Sequence, residues 1–245
     1  MSTLDLHPMP SPDLSTLDSL TVRAVLFDLD GVLVDSRGPI AGSINHALEA
    51  NGLEPASLEH LHRLIGDPLG PIFEALLDDR EADRGLTQPC IDRYREHYRT
   101  ASVEEALAFD GIAPLLEELA RLFPIAVVTA KPIEFARPIL ERLGLARHFG
   151  AICGPPLART DGEPKAHIAE RALAELGLVT GSLGAPPVAA MVGDRHHDVR
   201  AGRALGLATV GVLWGIGSQA ELVEAGAQYL VETPDQLGRL LDGTC

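Results

Sequence analysis

Cysteine is scarce in this chain. Cys90, Cys153 and Cys245 are scattered, odd in number and without C-x-x-C spacing, which argues against a disulfide framework and a structural zinc site. No apolar run approaches membrane-spanning length, and no charged-then-apolar segment of the secretory kind opens the sequence. Positive charge is also in short supply: 20 Lys and Arg against 35 Asp and Glu leave a net charge of −15. Such a surface repels phosphate backbones and anionic lipid, so neither nucleic acid nor a membrane is expected as a partner. A cytoplasmic location is expected. An anionic substrate would need a site made locally positive by a cation or a few Lys and Arg. No internal repeat is evident, and the glycines of "GVLWGIG" (211–217) fit neither G-x-G-x-x-G nor a G-K-[ST] ending. That stretch reads as a loop leaving the fifth strand of a sheet, with Trp214 able to line a wall.

What is present is a chain of 245 residues whose apolar fraction, 46%, is ordinary for a globular protein with a sizeable core. Residues 1–20, rich in Pro, Ser and Asp, are expected to form a flexible tail. Short unbroken apolar runs follow at Val22–Phe27, Ile125–Val128, Ala151–Cys153, Val188–Val192, Ala208–Leu213 and Tyr229–Val231. Runs of this kind fit strands buried on both faces of a parallel sheet. Helical patterns separate them: Ile168, Ala172, Leu173 and Leu176 share a face, and "PIEFARPILERLG" ends at Gly144. The alternation predicts an α/β fold with a doubly wound parallel sheet. From about Ser36 to Phe109 it breaks, leaving only helical patterns such as "AGSINHALEANG", "GPIFEALLDD" and "IDRYREHYRT". The expected division is a core of 21–36 and 109–245 with a helical second domain over 37–108.

In an open parallel sheet, ligands bind beyond the carboxyl ends of the strands. The residues following three predicted strands are Asp28, Thr129 and, after Gly193, Asp194. Lys165, at a predicted helix start, could reach the same crevice. Taken singly, an Asp after a strand reads equally as a turn or helix cap. Together they are costly, because two carboxylates about 4 Å apart repel by roughly 4 kcal/mol at an effective dielectric near 20. Gathering Asp28, Asp30 and Asp194 therefore calls for a cation, and all-oxygen ligation suits Mg²⁺. In extended backbone Asp28 and Asp30 point the same way while Leu29 turns away. One carboxylate could then serve as nucleophile and the other as acid and base. Gly31 would allow a sharp turn beside them.

These residues resemble the haloacid dehalogenase superfamily of phosphohydrolases. "DLDG" (28–31) is similar to its first motif, Thr129 to the second, Lys165 to the third and "GDRHHD" (193–198) to the fourth. The helical insertion, "IGDPLGPIFEALL" (65–77), "YREHY" (94–98) and "TAKPIEFA" (129–136) resemble the phosphoglycolate-phosphatase-like branch, whose insertion is a helical cap. The resemblance implies Asp28 as the nucleophile that becomes an aspartyl-phosphate, and Asp30 as acid and then base. Thr129 and nearby backbone N–H groups, including the region of Ala130, would bind phosphoryl oxygens, and Lys165 would pair with Asp28. Mg²⁺ would be held by Asp28, the Asp30 backbone carbonyl, Asp194 and Asp198. Mg²⁺ and Lys165 would offset the Asp28–Asp30 repulsion, which would itself favour a protonated Asp30. Val32 and Ala130 depart from the commonest family residues, and Ala130 removes one polar phosphate contact.

The implied activity is a Mg²⁺-dependent phosphatase acting on a small phosphorylated metabolite, phosphoglycolate or a nucleoside monophosphate. A phosphomutase of the same superfamily is the alternative. A dehalogenase needs neither Mg²⁺ nor the acid, and a phospho-aspartate signalling module would be shorter and lack both the cap and the second Asp. The chain is expected as a monomer or homodimer. Arg37 and Lys131 are candidate substrate contacts. Asp35 reads as a turn or cap residue at the exit to the helical domain. His196 and His197 read as helix-start or solvent residues rather than ligands, Arg195 as a salt-bridge or site-shaping residue, and "RYREHYR" (93–99) as a helix face.

Overall fold

The computed structural model describes residues 20–65, 69–158, 163–179 and 187–243. Residues 1–19, residues 159–162 of the loop before Lys165, and Cys245 lie outside that description. The elements are β1 (Val25–Phe27), β2 (Val34–Asp35), α1 (Arg37–Ala50), α2 (Leu58–Leu64), α3 (Leu69–Asp78), α4 (Thr87–Glu104), β3 (Leu107–Ala108), α5 (Ile112–Leu122), β4 (Ile125–Val128), α6 (Ile133–Arg142), β5 (Ala151–Cys153), α7 (Lys165–Glu175), β6 (Ala190–Gly193), α8 (His196–Ala204), β7 (Ala208–Val212), α9 (Gln219–Ala225), β8 (Tyr229–Val231) and α10 (Pro234–Asp242).

Six strands pair in the order β5-β4-β1-β6-β7-β8, and every pairing is parallel. Each predicted strand is present, with Val22–Phe27 shortened to Val25–Phe27, Val188–Val192 displaced to Ala190–Gly193 and Ala208–Leu213 ending at Val212. The unbroken apolar runs are explained by burial on both sides. Val25 and Phe27 join the apolar cluster built with α5, α6 and α10, whereas Ala24 and Leu26 join the one built with α7. The chain starts at the central β1, winds outward through β4 and β5, then crosses to β6, β7 and β8. The carboxyl ends of β1, β4 and β6 are therefore neighbours in one crevice.

Two expectations are corrected. A strand does occur within the stretch read as purely helical: Leu107–Ala108 pairs antiparallel with Val34–Asp35 in a second, two-stranded sheet. Strands this short carry no readable alternation. Leu20, counted with the tail, is buried in the core, and its N–H donates to the Leu240 carbonyl at 2.9 Å.

Between β2 and β3, α1 to α4 enclose a separate apolar cluster centred on Ile44, Leu48, Phe73 and Tyr94. Tyr94 and Tyr98 stack at 5.1 Å on one face of α4. Tyr98 then reaches Phe135 of α6 edge-on at 6.2 Å, which carries the insertion onto the core. Among the described residues no helix is long and apolar enough to cross a membrane.

Candidate active site

Asp28 is the first residue after β1, and its N–H donates to the Val192 carbonyl at 2.9 Å, extending the sheet ladder by one step. One carboxylate oxygen accepts the Leu29 N–H at 2.8 Å. The other lies 2.7 Å from Lys165 Nζ. Lys165 opens α7, and its ammonium also pairs with Asp198. Asp198, in the first turn of α8, accepts the Arg195 N–H at 3.1 Å and so closes that helix start. Asp194 follows β6 and accepts the Ile216 N–H at 2.7 Å through Oδ2.

Ligand oxygens of Asp28, Asp194 and Asp198 all lie within 4.8 Å of one another, and the three residues are buried. Burial first, then the Asp198 and Asp194 charges, push the Asp28 carboxyl well above its ordinary range despite Lys165. Burial and Asp198 raise Asp194 from 3.8 to about 6. Burial works against the Lys165 ammonium, but Asp198 and Asp28 outweigh it and hold its pKa above the usual lysine value. Asp194 Oδ1 is buried and accepts no hydrogen bond from any of the described residues. An orphaned carboxylate oxygen beside two further carboxylates, with all-oxygen donors, fits a hard divalent cation such as Mg²⁺.

Glycine is required where the backbone crowds this cluster. Gly31 has φ +79°, and a Cβ there would lie 2.1 Å from Asp194 Oδ2. Gly215 approaches from the other side, where a Cβ would stand 2.4 Å from Asp194 Cβ. "GVLWGIG" thus ends the fifth strand of the main sheet with Gly211 and Val212 and leaves it as a loop from Leu213, whose backbone also holds Asp194. Trp214 Nε1 fastens it to the Val32 carbonyl at 3.0 Å.

Thr129 follows β4 and is buried; its Oγ1 accepts the Lys131 N–H at 3.0 Å. Ala130, between them, is exposed. Asp30 is held from two sides. Its carboxylate accepts from Lys131 Nζ at 2.8 Å and from the Ser36 hydroxyl. The charges that raise Asp28 are those of Asp198 and Asp194. The partners of the Asp30 carboxylate are thus an ammonium and a hydroxyl.

Lys131 is the residue sequence reasoning underweighted. It is buried and also donates to the Tyr98 hydroxyl at 2.7 Å. Burial opposes its charge, but Asp30 and Tyr98 hold its pKa above the ordinary lysine value. Its position two residues after Thr129 was the available signal. Arg37 is not drawn into the cluster: it forks onto Asp35 at 2.8 and 2.6 Å. Asp35 also accepts the Arg37 N–H at 3.1 Å, the hydrogen-bonding role expected at this exit. Arg195 Nε and His196 Nδ1 meet Glu221 at 2.8 and 2.6 Å, with His196 and His197 opening α8 as expected. Burial would raise the Glu221 carboxyl, but the His196 and Arg195 donors hold it at about 2.

A parallel sheet with these side chains at the ends of β1, β4 and β6 defines a class, and the comparisons agree with it. Residues 25–212 match the haloacid dehalogenase-like hydrolase family, and the chain belongs to that family. A 5'-nucleotidase of Pseudomonas aeruginosa is 36% identical over 199 residues, 81% of this chain and 86% of that protein. A phosphoglycolate phosphatase of Chromobacterium violaceum is 33% identical over 230 residues, 90% and 96% of the two chains. The crystal structure of a predicted phosphatase from Clostridium acetobutylicum superposes with a TM-score of 0.74 at 33% identity, covering 90% of this chain and 98% of that one.

Proposed function

We propose that this chain is a cytoplasmic Mg²⁺-dependent phosphatase that hydrolyses a small phosphate monoester through an aspartyl-phosphate on Asp28. The observation that carries the reading is Asp28 itself: a buried carboxylate 2.7 Å from Lys165 and grouped with Asp194 and Asp198. The family membership and the names of the relatives support the same reaction class.

Asp28, Asp194 and Asp198 would hold the cation, with the Asp30 backbone carbonyl added by family resemblance. Bound there, Mg²⁺ would neutralise carboxylate and phosphoryl charge. Asp28 attacks phosphorus as the ester P–O bond breaks, and Asp30 delivers a proton to the departing oxygen. In the second half Asp30 takes a proton from the water that attacks phosphorus, which frees Asp28 and releases phosphate. Lys165 holds Asp28 in line and balances the incoming charge. Thr129 contributes its hydroxyl to the phosphoryl oxygens. Lys131 orients Asp30, and its ammonium must yield when Asp30 carries the proton for the leaving group. We assign residues 37–108 as a cap over this crevice, with the 2.7 Å Lys131–Tyr98 contact as its fastening.

Phosphate release from a panel of monoesters, with and without Mg²⁺, tests the assignment in wild type and Asp28→Asn. Mg²⁺-dependent release is expected in wild type only, and comparable turnover by the variant would overturn it. Conversion of a sugar 1-phosphate to its 6-phosphate without free phosphate would instead identify a phosphomutase.

A further inference from the structure

The loop that leaves β7 at Leu213 touches both parts of the molecule. Trp214 belongs to the core: its ring packs on the apolar cluster built with α5, α6 and α10, and its Nε1 donates to the Val32 carbonyl at 3.0 Å. Ile216, two residues on, faces the other way. Its half-buried side chain packs on the apolar cluster of α1 to α4. Every other described member of that cluster lies between Ile40 and Tyr98. Ile216 is thus the one residue that the core lends to it among the described residues.

The backbone of the same residue holds a carboxylate. The Ile216 N–H donates to Asp194 Oδ2 at 2.7 Å. With Oδ2 so occupied, Oδ1 is left without a donor among the described residues, and it is the oxygen available to a cation. The loop has little slack. Gly217 leaves no room for a Cβ against the Asp194 carbonyl oxygen. Ser218 caps α9, whose Glu221 grips Arg195 and His196 directly after Asp194. A shift of the α1–α4 unit therefore makes two demands on Ile216. Its side chain must leave the apolar cluster, or its N–H must leave Asp194. Burial of one apolar side chain and one hydrogen bond to a charged acceptor are of similar strength, so neither gives way freely.

We infer that Ile216 is a positioning residue that ties the seating of residues 37–108 to the placement of Asp194. With the helices seated, the Ile216 N–H is aimed at Oδ2 and Oδ1 is presented to a cation. With them displaced, Asp194 loses that donor. The coupling is reciprocal: a cation held by Asp194 favours the seated arrangement by as much as seating favours the cation. This consequence rests on the cation reading of Asp28, Asp194 and Asp198, whereas the link from Ile216 to Asp194 stands on the geometry alone. Ile216 touches no reacting atom.

The full chain is titrated with Mg²⁺ in a calorimeter as wild type, Ile216→Ala, Ile216→Val and Leu143→Ala. Leu143 follows the end of α6 remote from Lys131 and packs on the core cluster, so it controls for lost apolar burial alone. The Mg²⁺ dissociation constant should rise about tenfold in Ile216→Ala, as for loss of a group that orients a metal ligand. It should stay near wild type in Leu143→Ala and be largely restored in Ile216→Val. An unchanged constant in the alanine variant, an equal rise in Leu143→Ala, or a valine variant as weak as the alanine one overturns the inference. Amide hydrogen exchange in EDTA needs no metal. Exchange across α1–α4, referred to α10, should quicken severalfold in Asp194→Ala, although that substitution lies outside the inserted helices. In an Ile216→Ala background the same change should add nothing. Exchange as slow as in wild type, or an additive effect, overturns the link. If wild type binds no Mg²⁺, the cation reading fails by itself, and the exchange measurement alone decides whether Ile216 joins the two parts.

Discussion

The ammonium of Lys131 lies 2.7 Å from the hydroxyl of Tyr98, joining the start of α6 in the core to the last helix of the insertion. The same ammonium holds Asp30 at 2.8 Å. One buried cation thus touches both the proposed acid–base residue and the proposed cap. Tyr98→Phe removes only the helix-side bond and should cost about 1 kcal/mol in urea denaturation. Lys131→Met leaves the Asp30 carboxylate without its cation and should lower kcat much further than Tyr98→Phe does. Steady-state kinetics on the two variants decide this, and equal kcat values would refute the orienting role of Lys131.

Asp30→Asn retains the shape of the side chain but cannot take a proton from water. The phospho-enzyme formed on Asp28 should decay about 10² to 10⁴ times more slowly than in wild type. Acid-quench trapping of the phosphorylated protein measures that lifetime, and an unchanged lifetime would remove Asp30 from the second half-reaction.

Asp194 titrates at about 6 instead of 3.8, chiefly through burial. A carboxyl with a raised pKa binds its proton more tightly folded than unfolded. Its stabilising effect is therefore full below the unfolded pKa and lost as pH rises through about 6. The shift corresponds to at most about 3 kcal/mol, and Asp28 is displaced in the same direction. In EDTA the melting temperature should fall between about pH 4 and pH 7. Mg²⁺, which favours the ionised carboxylates, should restore it at the upper end and have little effect at the lower. A melting temperature indifferent to Mg²⁺ at neutral pH would argue against a cation among these carboxylates.

Gly31→Ala places a methyl group where 2.1 Å separates the Cβ position from Asp194 Oδ2, at a φ of +79°. The left-handed conformation alone costs about 1–2 kcal/mol. Relief of the clash requires Asp194 to move. The variant should therefore lose Mg²⁺ affinity by calorimetry more than a stability loss of that size explains. Unchanged affinity would separate Gly31 from the site.

The sheet was legible because burial on both faces leaves unbroken apolar runs, as in Ile125–Val128 between two layers of helices. The residues after β1, β4 and β6 were legible because a parallel sheet gathers its carboxyl ends at one edge. The β2–β3 ribbon was not, since two residues carry no period. Helical spacing put Tyr94 and Tyr98 on one face of α4 but could not say what that face meets. Their contacts with Lys131 and Phe135 join segments far apart in the chain and depend on how the insertion is seated. For the same reason the ammonium on Asp30 was not legible: Lys131 arrives from another strand end, far away in the sequence.

The pairing of Asp35 with Leu107 has a further effect. The chain departs from the sheet and returns to it through adjacent strands, so the distance between departure and return is fixed by the ribbon alone. Lengthening, shortening or replacing the helices beyond it leaves that closure untouched, and added length there costs little extra loop entropy. The helical unit is in this sense an exchangeable part. Selection could redraw the walls that greet a substrate while the carboxylates beneath keep their places.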